Sequence, residues 1–364
     1  AFAAPALPAC DAASIARAKA MLAAAKRPVV VAGLEATDPA ACAAVRALVE
    51  ALGGPALVTY KAKGVVPDAH PLFGGVFTGG EAEAPLMRHA DLIILAGADP
   101  VEFISQPWRY AAPVIEMADF PRSLDYRRPD VALHGDWAAA ARALAQGAEA
   151  RPWPELARLR GAWLAALSNG ASGNRGLSPQ RVVEVAQATC RAAGADPRVS
   201  VDAGAHMFPC TSFWQAERPG DLLISNGLAS MGFALPAGIA AAWHDPARGA
   251  VAFTGDGGLL MALGELATAA TLGVKLVVVV FNDATLSLID IKRGSRDLPE
   301  GCLDWPEADF SLVAQGCGVR GFRVADEASY AAALREALAS GGPSLIDVRT
   351  DPSSYPAQIR ALRG

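Results

Sequence analysis

The sequence predicts an α/β protein built of two doubly wound parallel-sheet domains with helices on both faces. Three observations predict it. Short runs rich in Val, Ile and Leu alternate with helix-length segments. The runs are continuously apolar, as in strands buried on both faces. The rhythm stops near residue 150 and starts again near 178. With 364 residues, 52% hydrophobic and 19% charged, the chain can form two cores.

The elements follow in order. Ala1 to Pro8 is an Ala/Pro-rich lead-in without the basic start of a signal peptide. Residues 1–10 are read as a linker from a preceding domain, and residues 11–150 as the first domain. Ala13–Ala25 is expected to be helical, and Pro28–Gly33 a strand running into a glycine turn. Ala40–Leu52 is a helix closed by Gly53-Gly54. Ala56–Thr59, Asp91–Gly97 and Val114–Met117 read as strands. Residues 151–177, opening on Arg151-Pro152-Trp153-Pro154 and closing on the polar stretch Ser168–Asn174, read as a linker. Residues 178–364 form the second domain. There Gln180–Ala193 is a helix behind Ser178-Pro179. Strands are expected at Val199–Val201, Leu222–Ser225, Ala250–Thr254, Lys275–Phe281 and Ser344–Val348. Helices between them include Met231–Trp243 and Leu259–Thr271.

Charge and cysteine usage narrow the function classes. Thirty-two Lys+Arg stand against 37 Asp+Glu, a net charge of −5 with no basic block, so no nucleic-acid partner is expected. Gly, Pro or charge interrupts every apolar stretch before a membrane-spanning length, so no membrane span is expected. Cys10, Cys42, Cys190, Cys210, Cys302 and Cys317 lie far apart without a CxxC pair. They read as reduced thiols of a cytoplasmic protein, with no zinc site.

The chemistry concentrates at two strand exits. Gly255-Asp256-Gly257-Gly258 follows Val251–Thr254, and Asn282-Asp283-Ala284-Thr285 follows Val277–Phe281, with 27 positions from Asp256 to Asp283. Glycines let backbone N–H groups approach a phosphate without an intervening Cβ. Two carboxylates and a carbonyl beside a diphosphate would make an oxygen site for Mg²⁺. The plain alternative is an ordinary strand–turn–helix connection.

This spacing resembles the Gly-Asp-Gly…Asn-Asn signature of thiamine diphosphate (ThDP) enzymes of the acetohydroxyacid synthase and benzoylformate decarboxylase-like family. The resemblance implies Asp256, Asp283 and the carbonyl of Thr285 as metal ligands, with Asp283 standing where the family usually has its second Asn. It implies Gly255, Gly257, Gly258 and Leu286 in the cofactor site. Asn226–Pro236 resembles the family's Gly-x-x-x-Met-Gly-x-x-x-Pro stretch. Met231 would there wedge ThDP into its V conformation, and the Ala229 carbonyl and Met231 N–H would bind the aminopyrimidine. Met231 is alternatively a core residue at a helix start. Asp202-Ala203-Gly204-Ala205-His206 resembles the Asp-x-Gly-x-His stretch. It implies Gly204, Ala205 and His206 at the diphosphate, with His206 either facing substrate or structural. Glu265 reads as structural or as an interface contact. Lys63–Leu72 and Ala90–Ala98 resemble the family's middle domain, which binds FAD or ADP in some relatives. No dinucleotide fingerprint and no Arg after Gly97-Ala98 appear, which disfavours FAD.

The family function implied is ThDP- and Mg²⁺-dependent decarboxylation or carboligation of a 2-oxo acid. It needs a glutamate from a pyrimidine-binding domain that nothing in this sequence resembles. Either the sequence is a fragment, inactive alone, or a separate subunit supplies that residue. A homodimer or homotetramer is expected. Leu286–Arg293 lacks the Gln-Trp of acetohydroxyacid synthases and has Ser287 where Gly is common, which disfavours acetolactate synthesis itself and leaves a decarboxylase or another carboligase open. A non-catalytic cofactor-binding subunit is the alternative from another class. An NAD-type oxidoreductase is disfavoured for want of Gly-x-Gly-x-x-Gly.

Overall fold

A computed structural model describes residues 6–103, 108–122, 127–168, 175–294, 296, 299, 301 and 303–363. The expectations on Ala1–Pro5, Asn169–Asn174 and Cys302 fall outside the described residues. The chain divides into two compact units. Ala1–Ala165, Ala216–Gly220 and Ala361–Gly364 form the first; Ala166–Gln215 and Asp221–Arg360 form the second.

The first unit holds strands β1 (Pro28–Ala32), β2 (Ala56–Val58), β3 (Phe73–Val76), β4 (Leu92–Ala96), β5 (Val114–Ala118) and β6 (Val131–His134). All pair in parallel in the order β3-β2-β1-β4-β5-β6. Alternate residues of β1 enter different cores: Val30 and Ala32 pack with the helix Pro39–Leu52, Val29 and Val31 with Trp153 and Leu156 on the other face. This two-sided burial explains why the strand is apolar throughout. Asp38 caps the helix Pro39–Leu52, accepting from Ala40 N–H, and Gly53 closes it at φ 62°.

The second unit holds β7 (Arg198–Val201), β8 (Leu222–Ile224), β9 (Ala250–Gly255), β10 (Leu276–Asn282), β11 (Arg320–Val324) and β12 (Ser344–Arg349) in the order β11-β12-β10-β9-β7-β8, again all parallel. Two doubly wound parallel sheets are therefore the fold, as the sequence predicts.

The structure adds β3, β6 and β11, each an edge strand. β3 is broken by two glycines and β11 carries two arginines, so neither reads as a buried apolar run. Within 151–177, Leu156–Ser168 is a helix. The expected helix Leu259–Thr271 is two helices, Asp256–Ala262 and Glu265–Leu272. Between them, Leu266 and Ala267 N–H bond back three residues, to Leu263 and Gly264, as a glycine inside a helix permits. The expected helix from Met231 begins instead at Ala234, because Gly232 turns the chain at φ 81°.

In each unit the strand order reverses between two neighbours: β1 and β4 in the first, β7 and β9 in the second. Ligands of doubly wound sheets enter the crevice beyond the strand C-termini at such a point.

Candidate functional site

Strand register builds the site in the second unit. β9 pairs with β10 so that Gly255 lies opposite Phe281. Asp256 and Asp283 thus leave neighbouring strands one and two residues later. On the other side Val201 pairs with Phe253, which brings Asp202–His206 to the same edge. One cavity of about 190 Å³ opens there. Gly204, Ala205, His206, Ala229, Met231, Gly255, Asp256, Gly257, Gly258, Asp283, Thr285 and Leu286 all line it. The structure brings together the twelve cofactor-site residues that the resemblance names, including the three candidate metal ligands.

Asp256 is buried and Asp283 partly buried, and backbone N–H groups donate to both. Asp256 accepts from Gly257 N–H on Oδ1 and from Ala284 N–H on Oδ2, both at 2.7 Å. Burial pushes its carboxyl up to about 7, and the neighbouring Asp283 adds to the rise. Asp283 Oδ2 accepts from Ser287 Oγ at 2.6 Å. Burial raises Asp283 to about 6, against the Ser287 and Thr285 hydrogen bonds. Two acids that line one cavity and resist ionisation are the electrostatic setting a divalent cation relieves. Among the described residues no group of three His, Cys, Asp or Glu side chains could hold a metal, so a backbone carbonyl such as that of Thr285 would complete the donor set.

The glycines of the wall are required by close packing against the chain itself. A Cβ on Gly257 would lie 2.7 Å from Leu286 Cδ2, and one on Gly258 2.2 Å from Asp202 Oδ2. His206 is 4% exposed, stacks on Phe281 at 5.3 Å, and its Nε2 has no hydrogen-bond partner among the described residues. Burial lowers its pKa to about 4, so the ring is neutral at pH 7. A neutral imidazole with an orphaned nitrogen in a cavity wall is a ready donor or acceptor for a ligand.

Met231 is half-buried in the turn before the helix Ala234–His244, and its Cε lies 3.4 Å from a Cβ built on Gly257. It is therefore not a residue of the helix start. The sequence reading missed what holds this turn. Asp202, fully buried at the exit of β7, accepts from Gly232 and Phe233 N–H, each at 2.9 Å, and from Thr254 Oγ1 at 2.9 Å. The Asp of Asp-x-Gly was its only signal. Tyr355 also lines the cavity and is buried, but stands 70 positions beyond Thr285 with no motif around it.

Strain marks the same place. Among the described residues the non-glycine positions with positive φ are Ala229 at 49° and Ala284 at 60°. The first lines the cavity; the second donates to Asp256. Such backbone persists where the surroundings impose it, and it clusters at ligand sites.

Residues 202–348 match the thiamine pyrophosphate enzyme C-terminal TPP-binding domain, and residues 15–144 match the central domain of the same enzymes. The chain belongs to the thiamine pyrophosphate enzyme family. Acetolactate synthase of Bacillus subtilis (strain 168) is 29% identical over 97% of this chain and 64% of its own length. Acetolactate synthase isozyme 1 large subunit of Escherichia coli (strain K12) is 30% identical over 95% of this chain and 62% of its own. Pyruvate oxidase of Lactiplantibacillus plantarum is 27% identical over 97% and 60%. The chain spans less than two thirds of the length of these thiamine pyrophosphate enzymes. Its central domain has its own strand-end crevice, between β1 and β4. There the buried carboxylate of Glu102 accepts from Leu34 N–H at 2.8 Å, Asp99 N–H at 3.0 Å and Thr59 Oγ1 at 2.5 Å. Gly33 lies so close to Ala98 that a Cβ would be 2.2 Å from its Cα.

Proposed function

We infer that this chain carries the diphosphate- and metal-binding part of a ThDP- and Mg²⁺-dependent enzyme that decarboxylates or carboligates a 2-oxo acid. The observation that carries the reading is the single cavity at the β7/β9 switch point. It joins the Asp256 and Asp283 carboxylates, a glycine wall and the Met231 thioether. Asp256, Asp283 and the Thr285 carbonyl hold Mg²⁺. Backbone N–H groups of Ala205 and His206 and the Gly255–Gly258 turn meet the diphosphate. Ala229 and Met231 hold the aminopyrimidine, and the Met231 side chain, flexible and polarisable, fills the space between the rings. When bound there, ThDP would supply a nucleophilic carbon and an electron sink for loss of CO₂.

The glutamate that activates the aminopyrimidine comes from a domain or subunit outside these 364 residues, within a homodimer, a homotetramer or a two-subunit assembly. The setting is cytoplasmic, with reduced thiols; among the described residues no helix is long and apolar enough to cross a membrane. Kinship to both acetolactate synthases and a pyruvate oxidase supports a 2-oxo acid as substrate. Ser287 and the missing Gln-Trp leave the fate of the decarboxylated product open between protonation and addition to a second carbonyl. The lack of a dinucleotide fingerprint, and Glu102 taking the Leu34 and Asp99 N–H groups, support a central domain without FAD.

Calorimetric titration of ThDP into the full-length protein, with Mg²⁺ and with EDTA, tests this. Mg²⁺-dependent binding is expected. Binding that is absent in both conditions, or equal in both, overturns the assignment.

A further inference from the structure

Asp283 does not present both carboxylate oxygens freely to the cavity. Ser287 Oγ donates to its Oδ2 at 2.6 Å, and the Thr285 N–H also reaches the carboxylate. Ser287 is 8% exposed and opens the helix Ser287–Gly294, one turn beyond Asp283. Both members of the pair line the cavity. The short bond between a hydroxyl and a carboxylate is of the strong, charge-assisted kind.

The chemistry of carboxylate ligands gives this bond a consequence. An amide offers one oxygen to a metal, whereas a carboxylate can bind through one oxygen or chelate through two. Ca²⁺ accepts two-oxygen carboxylates in flexible shells of six to eight ligands at about 2.3–2.6 Å, whereas Mg²⁺ requires near-octahedral geometry at about 2.0–2.1 Å. A hydroxyl bonded to Oδ2 competes for the lone pair that chelation would need. It also withdraws charge from a site that already carries Asp256.

We propose that Ser287 is a positioning residue that holds Asp283 to a single metal-bound oxygen and so sets the preference of the site for a small octahedral cation, Mg²⁺ or Mn²⁺, over Ca²⁺. The proposal rests on the reading of Asp256, Asp283 and Thr285 as cation ligands. It deepens that reading by assigning a selectivity to a residue outside the ligand set. Outer partners that orient metal ligands typically change affinity about 10- to 100-fold when removed.

Metal binding can be read without turnover. Mn²⁺ is titrated into the full-length protein with ThDP, free Mn²⁺ is followed by its electron paramagnetic resonance signal, and Mg²⁺ or Ca²⁺ is added as competitor. Wild type is expected to release Mn²⁺ to Mg²⁺ at lower concentration than to Ca²⁺. Ser287→Ala should reduce that Mg²⁺-over-Ca²⁺ preference about tenfold, and Ser287→Thr, which keeps the hydroxyl, should restore it. Ser287→Gly serves the same purpose as the Ala variant should the latter not fold. An unchanged preference in Ser287→Ala, beside lost Mn²⁺ binding in Asp256→Asn, overturns the role of Ser287 and leaves the ligands standing. A wild type that prefers Ca²⁺ likewise overturns it. Wild type that binds no Mn²⁺ in the presence of ThDP overturns the ligand assignment and this proposal together.

Discussion

The backbone N–H of Ala284 donates to Asp256 Oδ2 at 2.7 Å, and Ala284 adopts a left-handed φ of 60° in doing so. The loop leaving β10 thus orients the carboxylate leaving β9. A non-glycine residue in this conformation costs about 1–2 kcal/mol. Ala284→Gly should remove that strain, partly offset by the entropy of the unfolded glycine. Chemical denaturation should show stability unchanged or raised by up to about 1 kcal/mol, with ThDP affinity retained. A loss above that size would mean the Ala284 methyl packs favourably, and the strain argument would fail.

Asp256→Ala removes a proposed metal ligand and the acceptor of two backbone N–H groups. Mg²⁺-dependent ThDP binding should disappear while the second unit stays folded by circular dichroism. Unchanged affinity would sink the metal assignment.

Met231 and Asp202 should separate by kinetics. Met231→Ala leaves the N–H groups of Gly232 and Phe233 in place and removes only the thioether, so kcat should fall more than cofactor affinity. Asp202→Asn weakens the acceptor of those N–H groups, which costs about 1–3 kcal/mol per unsatisfied buried group. It should weaken ThDP binding at least as much as it slows turnover. If Met231→Ala merely lowers the melting temperature, the residue is part of the core and not a wedge.

The acids of the site make metal binding pH-dependent. Asp256 titrates near 7 and Asp283 near 6 because burial disfavours their charge. Mg²⁺ must displace those protons, so ThDP–Mg²⁺ affinity should rise from pH 6 to pH 8, with proton release seen as buffer-dependent calorimetric heat. For the metal-free protein the sign is opposite. A carboxyl raised above its unfolded value of about 3.9 contributes stability below that pH and loses it as pH rises through about 7. His206, lowered to about 4, acts the other way, stabilising above about 6.5 and losing that contribution as pH falls through its folded pKa. Comparing wild type with Asp256→Asn in EDTA isolates the carboxyl: only wild type should lose melting temperature from Asp256 between pH 5 and 8. Parallel pH profiles would refute the shift.

The central domain should carry no flavin. Glu102 already takes the Leu34 and Asp99 N–H groups, and burial raises its pKa despite them. The purified protein should show no visible flavin absorption, and FAD or ADP should not shift its melting curve. Flavin bound one to one would show that Glu102 gives way.

The sequence by itself determined the two parallel sheets and their inner strands, through local signals: β-branched runs buried on both faces, glycines where a turn needs them, and acids at strand exits. Twelve of the residues that line the cavity were named through the resemblance of the sequence's motifs to the family. The edge strands β3 and β11 were not legible, because half-paired strands tolerate glycine and charge; β6 is only four residues long and partly exposed on one face. Tertiary structure alone decided what holds the site. Asp202 reaches Gly232 across 30 residues, Tyr355 lines the cavity from the C-terminal end of the second unit, and Glu102 accepts from Leu34 N–H across 68 residues. Such partners are chosen by strand order and register, which pair residues distant in the chain, and no local periodicity records that choice.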